Sequence, residues 1–137
     1  MNLSKNVKVT KVAAAATSAG TAIDSTAVDM SGFEGVIFFG SIATANAGNT
    51  ANAAQATTSG GSYADLAGSE VAPGDNGDSF LIDVYRPRER FVRCEIDRSG
   101  ANTATGDIYA IQYGAASKPT VHGATIDAIL AISPAEA

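Results

Sequence analysis

The sequence predicts an all-β domain, an antiparallel β-sandwich or barrel (jelly-roll-like) of about seven to eight short strands with extended N- and C-terminal arms. Three observations predict this class. Apolar and polar residues alternate with a period of two in several short segments, no segment sustains a helical period, and turns rich in Gly, Asn and Asp separate the segments. The length of 137 residues predicts a single domain, 1–137.

The first half of the chain contains three predicted strands. Valine alternating with lysine and threonine predicts a strand over 6–12, within a predicted N-terminal arm over 1–12. A second short strand covers 26–30, and the most apolar segment, 36–42, is predicted to be a strand buried on both faces. The four alanines at 13–16 have no amphipathic continuation and are interpreted as a strand end or a loop.

Residues 43–62 differ in character from the rest of the chain, because they are almost all Ala, Asn, Thr, Ser and Gly and carry no charge. This composition is compatible with disorder. It is equally compatible with a weak strand near 51–58 that packs through small side chains, and the sequence leaves both interpretations open. The Pro-Gly-Asp-Asn-Gly-Asp stretch at 73–78 is a strong turn signal.

The second half has clearer alternation. Residues 80–85 and 91–97 each place apolar side chains on one face, and the turn at 86–89 between them predicts a β-hairpin with one apolar and one polar face. Another strand is predicted over 107–113. From 115 to 137 the pattern weakens, which predicts an extended C-terminal tail with scattered apolar anchors.

Composition excludes several classes of protein. One cysteine and one histidine exclude a disulfide framework, a Cys-based zinc site and a multi-His metal site. No stretch reaches the roughly 18–20 apolar residues of a membrane span, and the N-terminus lacks the apolar region of a signal peptide. The net charge of −5 and pI near 4.6 disfavour nonspecific nucleic-acid binding. Of the 27 alanines, those in the loops, in the 43–58 stretch and in the tail are interpreted as close-packing surface between subunits.

The sharpest local feature is a basic cluster of five arginines, at 86, 88, 90, 93 and 98. Guanidinium groups form bidentate pairs with carboxylates, so this cluster suits docking to an acidic protein surface. Binding of nucleic acid is a second interpretation. Interleaved acids, among them Asp83 and Glu95, favour a third one, in which the arginines form salt bridges across strands and between subunits. A second basic group, Lys5, Lys8 and Lys11, lies in the N-terminal arm.

No set of residues predicts catalysis. His122 stands alone without a nucleophile motif and is expected to be exposed or interfacial. Cys94 lies on the inward face of a predicted strand and is expected to be a buried, inert thiol. Residues 75–78 resemble part of a calcium loop but lack the remaining ligands, so a turn is expected. Asp83 and Glu95 can face each other across the predicted hairpin, but neighbouring arginines would lower their pKa values and disfavour a general acid.

Several segments resemble small structural proteins of tailed bacteriophages: MNLSKNVKVT at 1–10, VDMSGFEGV at 28–36, DVYRPRERFVR at 83–93, AIQYG at 110–114 and SPAE at 133–136. The resemblance covers nearly the whole chain and is to head decoration (cement) proteins. It implies a noncatalytic, trimeric protein that binds the major capsid protein on the capsid exterior and reinforces contacts between capsomers. The expected location is the virion, assembled in the host cytoplasm.

The leading hypothesis is therefore a capsid decoration protein that is not an enzyme and uses no cofactor, metal, nucleic acid, membrane or small-molecule substrate. One alternative is another virion component, in the tail, in the neck or linked to a fibre. A second alternative is a small-ligand-binding β-barrel with an apolar cavity. The residues predicted to bind the partner are Lys5, Lys8, Lys11, Arg86, Arg88, Arg90, Arg93 and His122.

Overall fold

The computed structural model describes residues 1–136, and the fold over these residues is all-β, as predicted. A short 3-10 turn at Leu3–Lys5 precedes eleven strands. They are β1 (Lys8–Ala13), β2 (Ala16–Ala19), β3 (Ile23–Asp24), β4 (Val28–Asp29), β5 (Gly35–Ser41), β6 (Asn49–Ala56), β7 (Ala64–Asp65), β8 (Ser79–Tyr85), β9 (Phe91–Arg98), β10 (Thr103–Thr105) and β11 (Ile108–Tyr113). The strands that the sequence did not predict, β2, β3, β7 and β10, are too short to show an alternating pattern.

The strands form two main sheets that we call the front and back sheets. The front sheet has the order β1-β11-β5-β8, and all its neighbouring pairs are antiparallel. The back sheet contains β3, β9, β6 and β7 in that order, with β4 also paired to β9. A separate two-stranded sheet joins β2 to β10. Both main sheets remain open, so the architecture is sandwich-like.

The hydrophobic core lies between the two main sheets. One cluster of buried side chains includes Phe38 and Ile108 from the front sheet and Val92, Cys94 and Ile96 from the back sheet. Val92, Cys94 and Ile96 occupy every second position of β9, because successive side chains of a strand point to opposite faces. The period-two pattern in the sequence thus marks the inward faces of both sheets.

The alanine-rich segment forms the central strand β6 rather than a disordered linker, so the interpretation as a weak strand is confirmed. Ala51, Ala53 and Ala54 are fully buried. The expectation that alanine forms surface between subunits is therefore wrong for this strand. Ala51 and Ala53 pack in the core between the two sheets. Ala54 is buried on the opposite face of β6.

The predicted hairpin over 80–97 is wrong. Strand β8 pairs with β5 in the front sheet, whereas β9 pairs with β6, β3 and β4 in the back sheet. The two strands share the same alternation because each lines one side of the same core, and alternation alone does not distinguish that arrangement from a hairpin. As a result, Asp83 and Glu95 belong to different sheets and do not face each other.

The segment predicted to be buried on both faces is buried on only one. On β5, Val36 and Phe38 are fully buried, but Phe39 is 43% exposed. The outward side of this strand is apolar even though no second layer of the described chain covers it. The prediction for 36–42 is therefore wrong for the outward face. A continuous apolar run normally indicates a strand covered on both faces.

The C-terminal tail forms no regular strand through residue 136, and residue 137 of the predicted segment lies outside the described residues. It runs along the free edge of β1. The Thr120 N–H donates to the Lys5 carbonyl at 3.1 Å, and the Gly123 N–H donates to the Val9 carbonyl at 2.9 Å. These bonds satisfy an edge strand that would otherwise offer unpaired main-chain groups.

Candidate functional site

The side chains that point away from the core on the front sheet form an apolar surface. The register aligns Tyr109, Phe39 and Leu81 in one row across β11, β5 and β8, with Ile111 and Ile37 in the next row. We call this surface the front face, and its apolar members are Val9, Ile37, Phe39, Leu81, Tyr85, Tyr109 and Ile111. Phe39, Leu81 and Tyr85 are 43%, 56% and 58% exposed. The exposure is thus greatest toward the β8 side of the sheet.

Strand β8 positions the outermost part of the front face. Its inward residues Phe80, Ile82 and Val84 are buried in the core, which directs Leu81 and Tyr85 outward. Because the inward set anchors the register, the two outward apolar side chains have little freedom to turn toward the interior. Their exposure is a property of the fold.

Asp83 is the polar residue of β8 on this face, and its carboxylate accepts a hydrogen bond from the same chain. The Tyr113 hydroxyl donates to Asp83 Oδ1 at 2.6 Å. Desolvation and, second, this hydrogen bond raise the pKa of Tyr113 to about 12. The tyrosine ring lies over Gly35, where an added Cβ would sit 2.2 Å from Tyr113 Cζ. Glycine therefore makes room for the ring that covers the carboxylate.

The outer face of the back sheet is charged, and its charged side chains pair with one another within the chain. Arg93 forms ion pairs with Glu95 at 2.6 Å and with Asp24 at 3.1 Å, and its guanidinium lies 4.2 Å from the centre of the Tyr63 ring. The Asn52 amide donates to a carboxylate on β7 at 3.1 Å. The two outer faces of the sandwich therefore differ: one is apolar and exposed, and the other is an internal polar network.

The chain crosses from the front sheet to the back sheet at residues 86–90, which we call the arginine turn. Arg86 has a positive φ of 53°, an uncommon conformation for a residue with a side chain. Gln55 Oε1, from β6, accepts the main-chain N–H groups of Arg88 at 3.1 Å and Glu89 at 3.3 Å. This glutamine thus fixes the turn, and no motif in the sequence identified its role.

The arginines of the turn differ in how they are paired. Arg90 donates to both carboxylate oxygens of Asp29, at 2.9 and 2.8 Å, and these bonds hold the pKa of Asp29 below its usual value. Arg86 lies 3.6 Å from Glu34 in an exposed pair. Among the described residues Arg88 has no ion-pair partner. Within the arginine turn, Arg86 and Arg88 are therefore the cations most available to a partner molecule.

The remaining predicted partner-binding residues lie elsewhere. Lys5, Lys8 and Lys11 belong to the 3-10 turn and β1, at the edge of the front sheet opposite to the arginine turn. Lys11 Nζ lies 3.9 Å from Asp107. His122 Nδ1 accepts the Val9 N–H at 3.0 Å and so holds the tail on β1. The structure does not bring the two basic groups together.

A surface groove of about 530 Å³ lies beside the free edge of β8. One wall contains Leu66, Ser69 and Gln55, and the other contains Tyr85 and Arg88. The groove therefore combines an open strand edge with an unpaired cation.

Cys94 and residues 75–78, which were considered as catalytic and calcium-binding candidates, have structural roles in this fold. Cys94 is fully buried, and burial together with the Glu95 charge raises its pKa from 9.0 to about 12, which confirms the predicted buried thiol. Residues 75–78 form a turn closed by the Asp78 N–H donating to the Asp75 carbonyl at 3.1 Å.

Across residues 1–136 no group of three or more His, Cys, Asp or Glu side chains is arranged to hold a metal. Over the same residues no helix has the length and apolar character that a membrane crossing requires.

Comparison with known proteins gives a likeness of fold. No protein-family model matches the chain, and no curated protein matches it. Among solved structures, the PBSX exported protein XepA is similar, with a TM-score of 0.55 and 16% sequence identity. The likeness covers 97% of this chain but 45% of that protein, so this chain spans less than half its length. At this identity the likeness shows a shared fold.

Proposed function

We propose that this chain is a non-enzymatic structural protein of a phage particle, a capsid decoration protein. In this proposal it binds the outer surface of the major capsid protein shell as an oligomer, expected to be a trimer, and stabilises contacts between capsomers. Assembly takes place in the host cytoplasm. The front face is the capsid-binding surface, and the arginine turn binds acidic groups at its border.

The observation that carries the proposal is the difference between the two outer faces of the sandwich. A contiguous exposed apolar patch with a polar border is typical of a protein interaction site. Phe39, Leu81 and Tyr85 form the exposed part of that patch, and Arg86 lies 5.1 Å from the centre of the Tyr85 ring at its border. Aromatic residues and arginine are the types enriched in protein interfaces.

The resemblance of sequence segments to phage head decoration proteins supports the same proposal. The fold shared with the PBSX phage exported protein XepA favours a phage-related protein more generally.

Binding to heads built from the major capsid protein of the same phage tests the proposal. Leu81→Glu places a charge in the front face at a position that is already 56% exposed, so the fold should tolerate it. We expect affinity to fall about tenfold or more, because burying an unpaired charge at an interface costs upward of about 1.4 kcal/mol.

Ala64→Glu is the matched control, since it adds the same charge at an exposed strand position on the back sheet. It should bind heads like the unmodified protein, in a co-sedimentation assay. Equal affinity for both variants would contradict the proposed surface. Absence of head binding, with antibody label on the tail or neck of intact particles, would favour another virion position.

A further inference from the structure

Strand β8 is an edge strand of the front sheet and pairs only with β5 among the described strands. Main-chain bonds at its two ends establish which residues face β5. The Arg86 N–H donates to the Glu34 carbonyl at 2.7 Å, and the Ile42 N–H donates to the Asp78 carbonyl at 3.1 Å. Because residues alternate along an antiparallel strand, the even-numbered residues of β8 bond to β5.

The odd-numbered residues Leu81, Asp83 and Tyr85 therefore direct their N–H and C=O groups away from the sheet. No main-chain group of residues 1–136 pairs with them. Asp83 and Tyr85 open onto the groove of about 530 Å³ that Leu66 and Gln55 border on the other side, and Leu81 continues the same open edge beyond the groove. An open strand edge beside a groove is the arrangement that accepts an extended peptide as an additional strand.

The tail segment 126–132 has the complementary properties. It contains three isoleucines and one leucine, is free of proline, and therefore has high strand propensity. Within its own chain the Ile126 N–H donates to the Gly123 carbonyl at 3.0 Å. Ile129 and Ile132 are 92% and 75% exposed. The segment thus has both unpaired main-chain groups and uncovered apolar side chains.

The charges of the tail and the groove are also complementary. After Lys118 the chain carries Asp127 and Glu136 and neither lysine nor arginine. The groove carries Arg86 and Arg88 at one end. An acidic segment entering this groove would meet the guanidinium that has no ion-pair partner in its own chain.

We infer that segment 126–132 of one copy binds to the β8 edge of a second copy and extends its front sheet by one strand. The tail leaves the sheet at Gly123, beside β1, and β8 is the opposite edge. Reaching the outer edge of β8 in its own chain would require the tail to cross all four strands of the front sheet, about five strand spacings or roughly 24 Å, over Phe39 and Leu81, which are exposed. Donation from one edge to the opposite edge of a neighbour is a head-to-tail contact, and such contacts form a ring of identical copies where the rotation between copies closes.

Two full-length variants test the inference without capsid, so its outcome is separate from that of the proposed function. The donor variant carries Ile129→Asp and Ile132→Asp, at side chains that the fold leaves exposed. The acceptor variant is Asp83→Pro, which removes one outward N–H while leaving the bonds between β5 and β8 in place. Asp83→Ala is its matched control, because it removes the same carboxylate but keeps the N–H.

Native mass spectrometry should detect a closed oligomer, expected to be a trimer, for the unmodified protein and for Asp83→Ala. Each blocked variant should be monomeric, with circular dichroism unchanged. Mixing the two blocked variants should give a complex of one copy each, since only one donor and one acceptor remain. Arg88→Glu, a surface change, should weaken assembly at least about tenfold if the tail acids bind there.

A monomeric unmodified protein would overturn the inference. An oligomer that persists in the donor variant would also overturn it, because another surface would then hold the copies together. Failure of the mixed variants to form a complex, with both folded, would do the same. If Asp83→Pro fails to fold, the donor variant and Arg88→Glu still decide the question.

Discussion

At the scale of single residues, Arg98 shows how far a sequence cluster can differ from a site. The sequence groups it with the other arginines, but its side chain is buried and faces no carboxylate. Its guanidinium donates to the carbonyls of Thr17, Thr21 and Thr103 at 2.9, 2.6 and 2.9 Å. Arg98 therefore holds the loops around β2 and β10 together and is unavailable to a partner molecule.

Arg98→Ala should lower the free energy of unfolding by about 3 kcal/mol or more, because it leaves buried carbonyl groups without donors. Urea denaturation measures the change. Arg88→Ala, at an exposed arginine without an ion pair, is the control and should stay within about 0.5 kcal/mol of the unmodified protein. Similar stability of the two variants would contradict the structural role of Arg98.

The raised pKa of Cys94 predicts that the free energy of unfolding decreases in alkaline solution. Its pKa is raised from 9.0 to about 12 in the folded protein. Below pH 9 both states keep the proton; above it the unfolded chain releases the proton first, so stability falls as pH rises toward 12. The free energy of unfolding, measured in urea from about pH 8 to about pH 10, should therefore decrease with pH. Cys94→Ala should show a shallower decrease, and an unchanged slope would count against this account.

At the scale of the strand pair, the close approach of β5 and β11 depends on Gly35. Gly35→Ala would place a methyl group inside the volume of the Tyr113 ring. We expect a loss of about 1–3 kcal/mol of stability, the usual cost of overpacking. In a Tyr113→Ala background the same change should be nearly neutral, because the clash is gone. Urea denaturation of the four proteins measures the coupling, and additive effects would refute the steric explanation.

Also at this scale, local alternation predicted most of the longer strands but not their partners. The inward residues of β8 and β9 were identified correctly, because a period of two is visible in the chain. The assignment to opposite sheets depends on contacts far apart in sequence, such as Gln55 with the arginine turn, which local patterns do not encode. The ion pairs of Arg90 and Arg93 within the chain agree with the interpretation of the arginine cluster as salt bridges, but local patterns do not identify their partners.

At the scale of the whole molecule, the sandwich has two unlike sides. The back sheet presents ion pairs that are satisfied within the chain, and the front sheet presents Phe39, Leu81 and Tyr85. A net charge of −5 adds long-range repulsion between copies, so association must rely on local complementarity. One face for the capsid and one strand edge for a neighbouring copy would let a single small domain serve both contacts.

The most direct test of this account is hydroxyl-radical footprinting of the protein, free and bound to heads of the same phage. Phe39, Leu81 and Tyr85 should lose reactivity on binding, because the front face would be covered. Tyr63, on the back sheet, should react equally in both states. Protection of Tyr63 with unchanged reactivity of Leu81 and Tyr85 would contradict the claim that the front face is the binding surface.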